Sequence, residues 1–147
     1  MTTNPEITPP FSEDDTSKIP ALALLIKLGY QYLTPSQANK LRGDRKSSVI
    51  LFGILEEQLR KMNRIQFRGE NIPFSEGNIT EAIRILRDIE DDGLVRTNEK
   101  IWELIRLGKA LSQSIQGDTK SFNLHYIDWA NPENNVYHVT DEFAIAA

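Results

Sequence analysis

The spacing of apolar residues changes at Gly108, and this change constrains the fold more than any other feature of the sequence. Before Gly108, apolar residues recur at the spacing of a helix with one buried face. After Gly108, they alternate with polar residues, which is the period of a strand. Helices followed by strands are typical of an α+β domain. We therefore predict helices over about residues 16–108 and strands over about residues 109–146.

Five helices are predicted from apolar stripes together with residues that start and stop helices. Ser, Thr, Asn and Asp favour the first position because their side chains accept hydrogen bonds from free backbone N–H groups, and glycine favours the position after the end. The predicted helices begin at Asp15 to Ser17, Thr34, Lys46, Asn78 and Thr97, and they end near Gly29, Gly43, Ile65, Gly93 and Gly108. The segment 66–74 is predicted to be a connector.

Three strands are predicted after Gly108. The first two form a hairpin with Gly117-Asp118 at its tip, and residues 136–145 form the third, so the strands make a small antiparallel β-meander. In this arrangement the last strand has no neighbour to cover it. An exposed apolar edge strand is a template for pairing with another chain. We therefore expect self-association through this strand.

Composition excludes several classes of function. The chain of 147 residues has no cysteine, which rules out disulfides, thiolate metal sites and a cysteine nucleophile. Its net charge of -4 disfavours a domain that holds DNA by itself. Basic clusters at residues 40–46 and 60–68 are interpreted as solvated surface, with a nucleic-acid patch as the alternative. Residues 1–11, with three prolines, are predicted to be a disordered lead-in, and no run of apolar residues suggests a membrane span.

Asp128 is the most informative single residue because the strand period places its carboxylate on an apolar face. Burying a carboxylate without partners is unfavourable. Either Asp128 caps the following turn by bonding to Asn131 or beyond, or it has a metal-binding or catalytic role. His125 and His138 are expected to face away from it. No metal ligand set is predicted.

Four segments, read in order, resemble the N-terminal region of the R subunit of type I restriction-modification enzymes. They are SEDDTSKIPALALLIKLGYQYL, ITEAIRIL, DDGLVRTNEKIWELIRLGKAL and YIDWANPENNVYHVTDEFAI. The resemblance runs from about Phe11 to the last residue. Its most specific positions are in the final segment and include Asp128, Asn131, Pro132, Asn135 and Phe143.

The resemblance implies that residues 12–147 are the N-terminal part of an endonuclease domain with an incomplete PD-(D/E)xK nuclease-like fold. It implies a cytoplasmic subunit that translocates DNA with ATP and cleaves it with Mg²⁺, together with methyltransferase and specificity subunits. The catalytic Asp and ExK are expected beyond Ala147, so we expect no catalytic residue, no bound cofactor and no nuclease activity in this chain alone.

The resemblance also bears on individual residues. Asp128, Asn131 and Asn135 are expected to shape the turn that leads to the catalytic sheet. Lys18 lies where family members often have a glutamate, and this departure puts an active metal site in doubt. Two alternatives stay open: a stand-alone protein-interaction module, and a small metal-dependent hydrolase built on Asp128, Asp141, Glu142 and a histidine.

Overall fold

The computed structural model describes residues 14–146 and combines five α-helices with three two-stranded sheets. A π-helical turn at Asp14–Lys18 leads into the first helix, and a 3₁₀ turn at Pro132–Asn134 precedes the last strand. The helices are α1 (Ile19–Lys27), α2 (Pro35–Leu41), α3 (Phe52–Met62), α4 (Glu76–Arg87) and α5 (Leu94–Leu107). The strands are β1 (Gln31–Tyr32), β2 (Arg64–Phe67), β3 (Glu70–Pro73), β4 (Lys109–Ile115), β5 (Asp118–Leu124) and β6 (His138–Val139).

The α+β class and the hairpin after Gly108 are confirmed, but the three-stranded meander is wrong. β4 and β5 pair antiparallel along their whole length, from Lys109 opposite Leu124 to Ile115 opposite Asp118. β6 does not join them and instead pairs in parallel with β1. Residues 140–146 are not a strand. The third strand was mispredicted because a two-residue contact with a distant part of the chain replaced the expected local pairing.

A second hairpin occupies the segment that was predicted to be a connector. β2 and β3 pair antiparallel around a tip at Arg68 and Gly69, whose φ angles are 49° and 82°. Two successive positive φ values are typical of the tight turns whose twist matches that of the flanking strands. The same pattern at Gln116 and Gly117 makes the β4–β5 tip one residue earlier than predicted.

Both boundaries were predicted well for α2, where Thr34 and Gln37 form the reciprocal capping box, and the predicted end at Gly108 is the C-cap of α5. The N-cap of α4 is Ser75, whose hydroxyl accepts a hydrogen bond from the backbone N–H of Asn78. Asn78, the predicted N-cap, therefore lies inside the helix. α3 begins at Phe52 instead of Lys46. α1 continues directly from the π-helical turn, and the side chain of its N-cap residue, Lys18, makes no capping hydrogen bond.

α4 and α5 are also divided differently from the prediction. α4 ends at Arg87, before the acidic segment, and Gly93 is the residue before α5 and not the end of α4. α5 therefore starts at Leu94, three residues ahead of the predicted Thr97.

The core lies where α3 and α4 meet the β2–β3 and β4–β5 hairpins. Leu59 of α3, Ile79 of α4 and Leu124 of β5 are completely buried. The hydroxyl of Tyr126, just beyond β5, donates to the Ala82 carbonyl of α4 at 2.6 Å. Burial raises the pKa of Tyr126 to about 12, so its hydroxyl stays protonated and keeps this bond.

α1 lies outside this core. None of its residues is buried, and Leu24 within the helix and Leu28 at its C-cap are 58% and 68% exposed. Within residues 14–146 no helix is long and apolar enough to cross a membrane.

Gly108 marks the point where the chain turns from α5 into β4, and it is required there for two reasons. Its φ of 76° is unfavourable for residues with a side chain. A Cβ atom at this position would also lie 2.2 Å from the carbonyl oxygen of Leu124. The change of period in the sequence therefore coincides with a close approach of two backbone segments.

We predict that Gly108→Ala lowers the free energy of unfolding by about 1–3 kcal/mol more than Gly69→Ala does. Both glycines have positive φ, so both variants share the conformational penalty. Only at Gly108 does the new methyl group meet a neighbouring backbone, since nothing lies within 4 Å of a Cβ at Gly69. Urea unfolding of the two variants measures the difference, and equal losses would contradict the close approach.

Candidate functional site

The candidate site is the loop of residues 125–137 that follows β5. Four predicted family positions lie in it, namely Asp128, Asn131, Pro132 and Asn135. The fifth, Phe143, lies further along the chain and contacts a different part of the fold. The structure therefore brings four of the five positions together in one loop.

The carboxylate of Asp128 caps the turn within this loop. Its Oδ1 accepts a hydrogen bond from the backbone N–H of Asn131 at 2.9 Å, and its Oδ2 accepts from the side-chain amide of Asn134 at 2.9 Å. The bond to Asn131 is the one that the turn-capping interpretation predicts. Each carboxylate oxygen therefore has a partner inside the loop.

Asn135 closes the loop from its other end. Its Oδ1 accepts from the backbone N–H of Asp128 at 2.9 Å, and its Nδ2 donates to the backbone carbonyl of the same residue at 2.9 Å. The side-chain amide thus replaces the backbone partner that Asp128 would have in a strand. Asn135 Nδ2 and the Tyr137 hydroxyl also donate to the Pro132 carbonyl. The two ends of the turn are held together by side chains.

These hydrogen bonds lower the pKa of Asp128. The bond from Asn134 is the largest cause, followed by the bond from the Asn131 backbone, because both donors stabilise the ionised carboxylate. The negative charge of Asp128 is therefore stabilised by hydrogen-bond donors within the loop, as expected of a turn cap.

Asn63 fixes the entrance to the loop. It is buried at the end of α3, its Nδ2 donates to the His125 carbonyl at 2.8 Å, and its Oδ1 accepts from the His125 N–H at 2.7 Å. Its Nδ2 also donates to the Leu59 carbonyl. Sequence reasoning missed Asn63, since a single asparagine at the end of a helix carries no signal of a partner so distant in the chain.

Two cavities border the loop. A cavity of about 620 Å³ lies between the loop and α3 and is lined mainly by apolar side chains, including Ile54, Leu55 and Val136. A second cavity of about 370 Å³ is lined by Arg106 and His125 among others. Asp128 and Trp129 line both cavities, so the loop forms a wall between them.

The residues that the hydrolase alternative requires do not assemble. Among residues 14–146, no three His, Asp or Glu side chains lie close enough to hold a metal ion. The oxygens of Asp128 are taken by loop donors, and Asp141 belongs to a separate cluster with Lys18. The described residues therefore do not fit a Mg²⁺ site.

Lys18 binds the segment that follows β6. Its Nζ lies 3.0 Å from a carboxylate oxygen of Glu142 and 3.4 Å from one of Asp141, and the Tyr32 hydroxyl donates to Asp141 at 2.7 Å. The hydrogen bond from Tyr32, followed by the hydrogen bond from Lys18, lowers the pKa of Asp141. Lys18 is thus paired with two acids, and a glutamate in its place would face two like charges.

Phe143 lies under Arg42, which is another residue that sequence reasoning missed. The guanidinium of Arg42 is 4.2 Å from the centre of the Phe143 ring, and it donates to the Ala144 carbonyl at 2.7 Å. Arg42 is only 1% exposed and also binds the Asn39 side chain. A basic residue within a run of basic residues is expected at the surface, whereas Arg42 contacts Phe143 and Ala144, which lie far along the chain.

We predict that Asp128 titrates below the ordinary aspartate pKa of about 3.9. Because its folded pKa is lowered, the ionised carboxylate stabilises the loop above that value, and the stabilisation is lost as the pH falls through the folded pKa. An NMR titration that follows the backbone amide of Asn131 measures the midpoint of the Asp128 titration. In Asp128→Asn the acid transition of this amide should vanish, and a wild-type midpoint at or above the ordinary value would refute the turn cap.

Comparison with known proteins places the chain in a family. Residues 10–147 match the family model described as the type I restriction enzyme R protein N terminus. No curated protein and no solved structure shows a significant match. The matched range includes the Asp128 loop, the Lys18 cluster and the Arg42–Phe143 contact. The chain therefore belongs to the family of type I restriction enzyme R protein N termini.

Proposed function

We propose that this chain is the scaffold of the nuclease domain of a type I R subunit, and that the catalytic strands follow Ala147. The observation that carries the proposal is the family match over residues 10–147. In this proposal the domain has the PD-(D/E)xK fold, and an Asp and an ExK motif on the following strands bind Mg²⁺. The Mg²⁺ ion would activate water and stabilise the charge of the phosphoryl transition state.

The geometry of residues 141–146 supports this role. Lys18 and Tyr32 hold the acids at the start of the segment, and Arg42 holds its middle at Ala144. The Ala146 N–H donates to the Lys46 carbonyl at 3.0 Å. The chain therefore leaves the described region on a path that is fixed at several points, which suits a segment that must aim the next strands.

The wider activity of the subunit belongs to the same proposal. The complete subunit would hydrolyse ATP, translocate DNA and cleave it in a complex with methyltransferase and specificity subunits in the cytoplasm. In this chain we assign no catalytic residue. The loop that precedes the proposed catalytic sheet would be shaped by Asp128, Asn131 and Asn135. Phe143 would hold the chain against Arg42 ahead of the catalytic strands.

We predict that the reading frame continues past the codon for Ala147 into a strand bearing an Asp and then an ExK motif. The chain of residues 1–147 should not nick supercoiled DNA in the presence of Mg²⁺, whereas a chain extended through the ExK should do so. Sequencing of the gene and a nicking assay test both statements. A natural stop codon after Ala147 would refute the proposal.

An interaction module is the second candidate, because α1 exposes a set of apolar side chains. Ile19, Leu24, Ile26 and Leu28 are each between 47% and 68% exposed. Apolar surface of this kind often marks a contact with another protein or domain. A stop codon after Ala147, a clean monomer in sedimentation and no binding to DNA at low salt would together favour this candidate.

A further inference from the structure

The two basic clusters of the sequence differ in how their charges are neutralised. In the cluster of residues 60–68, Arg60 pairs with Glu76 at 2.8 Å and Arg68 pairs with Asp118 at 2.7 Å. These ion pairs involve two of the four basic residues of the cluster, and Lys61 and Arg64 form no ion pair with any residue in the range 14–146. The cluster is therefore partly neutralised by ion pairs.

The cluster of residues 40–46, which we call the basic loop, is not neutralised in this way. Lys40, Arg45 and Lys46 are exposed, and none of them forms an ion pair with any residue in the described range 14–146. The one acid within the loop, Asp44, is exposed and is likewise unpaired there. The basic loop of this acidic protein thus carries exposed positive charges that have no ion-pair partner among residues 14–146.

Arg42, a buried residue of the basic loop, adds a further positive charge to it. Its guanidinium is buried against Phe143 and donates to carbonyl groups and an amide oxygen, so no carboxylate cancels its charge. Its Nε has no hydrogen-bond partner among the described residues. A charge that is removed from solvent is screened less by water and salt than one on the surface. The positive potential of the loop therefore exceeds that of its exposed side chains alone.

The backbone of the basic loop is well supported. At the end of α2, the N–H of Asp44 donates to the Asn39 carbonyl at 2.8 Å, and a turn is closed by a bond from Ser48 to Arg45 at 3.0 Å. The Ala146 N–H binds the Lys46 carbonyl. The charged side chains thus project from a fixed backbone, beside the segment that would enter the catalytic strands.

We propose that the basic loop binds the phosphate backbone of DNA through Lys40, Arg45 and Lys46. This inference rests on the proposed function, because DNA would be the substrate of the completed domain. Flexible basic side chains suit contacts to phosphates, which position the duplex without reading its sequence. The whole chain has a net charge of -4, which gives DNA no general attraction to the protein, so the proposal places the contact at this loop.

The test compares two triple variants of the 147-residue chain. One is K40Q/R45Q/K46Q, and the matched control is R60Q/R64Q/R68Q in the cluster of residues 60–68, where Arg60 and Arg68 are ion-paired. Each removes three positive charges and takes the net charge from -4 to -7, so general repulsion is equal. Affinity for a short fluorescent duplex is measured by anisotropy between about 50 mM and 200 mM salt. Circular dichroism and thermal unfolding confirm that both variants fold.

We predict that the loop variant binds more weakly and loses about one unit of slope in log K against log salt for each phosphate contact removed, which is about three units in all. The control variant should keep the wild-type slope within about one unit. The assignment is overturned if the wild-type chain does not bind the duplex at low salt, or if both variants lose the same slope. Binding to phosphatidylserine vesicles without binding to the duplex also overturns it.

Failure of this assignment is distinguishable from failure of the proposed function. If DNA binding is absent while the reading frame continues into the Asp and ExK motifs, only the basic loop is wrongly assigned. If the frame stops after Ala147 while the loop variant still loses DNA affinity, the nuclease proposal fails and the DNA-binding surface remains.

Discussion

The bidentate contact between Asn63 and the backbone of His125 joins the two halves of this fold. Asn63 ends α3 in the helical half, and His125 follows β5 in the strand half. A buried amide that satisfies both polar groups of one residue acts like a short piece of sheet, and losing it would leave buried donors and acceptors without partners. The start of the Asp128 loop, the walls of both cavities and the position of Trp129 all depend on where this contact sets the chain.

From this anchor the loop is built almost wholly from its own side chains. The Asn135 side chain binds the backbone of Asp128, the Asp128 carboxylate accepts from the Asn131 N–H, and the Tyr137 hydroxyl donates to the Pro132 carbonyl. Such a loop needs little support from the core, which explains how it can border two open cavities and still have a defined shape. Beyond it, residues 141–146 are held instead by long-range partners, namely Lys18, Tyr32 and Arg42.

The sequence predicted those features whose cause is local. The Thr34 cap, the β4–β5 hairpin and the bond from Asn131 to Asp128 each depend on residues a few positions apart, and each is present. The features that it missed depend on distant partners. β6 pairs with β1 more than 100 positions away, and Arg42 is buried by residues 102 positions along the chain. Hydrophobic period carries no information about such pairs, so the last strand was assigned to the nearest sheet.

Trp102 and Trp129 give the protein a property that follows from their placement. The chain has two tryptophans, and their rings meet edge to face at 6.1 Å, where the Trp129 Nε1 donates to the Ile105 carbonyl of α5. Both rings are about half exposed, at 56% and 52%. The tryptophan fluorescence of this protein thus originates at the junction of α5 with the Asp128 loop. The tryptophan emission spectrum therefore reports on the environment of that junction. It does not report directly on the basic loop, which carries no aromatic side chain.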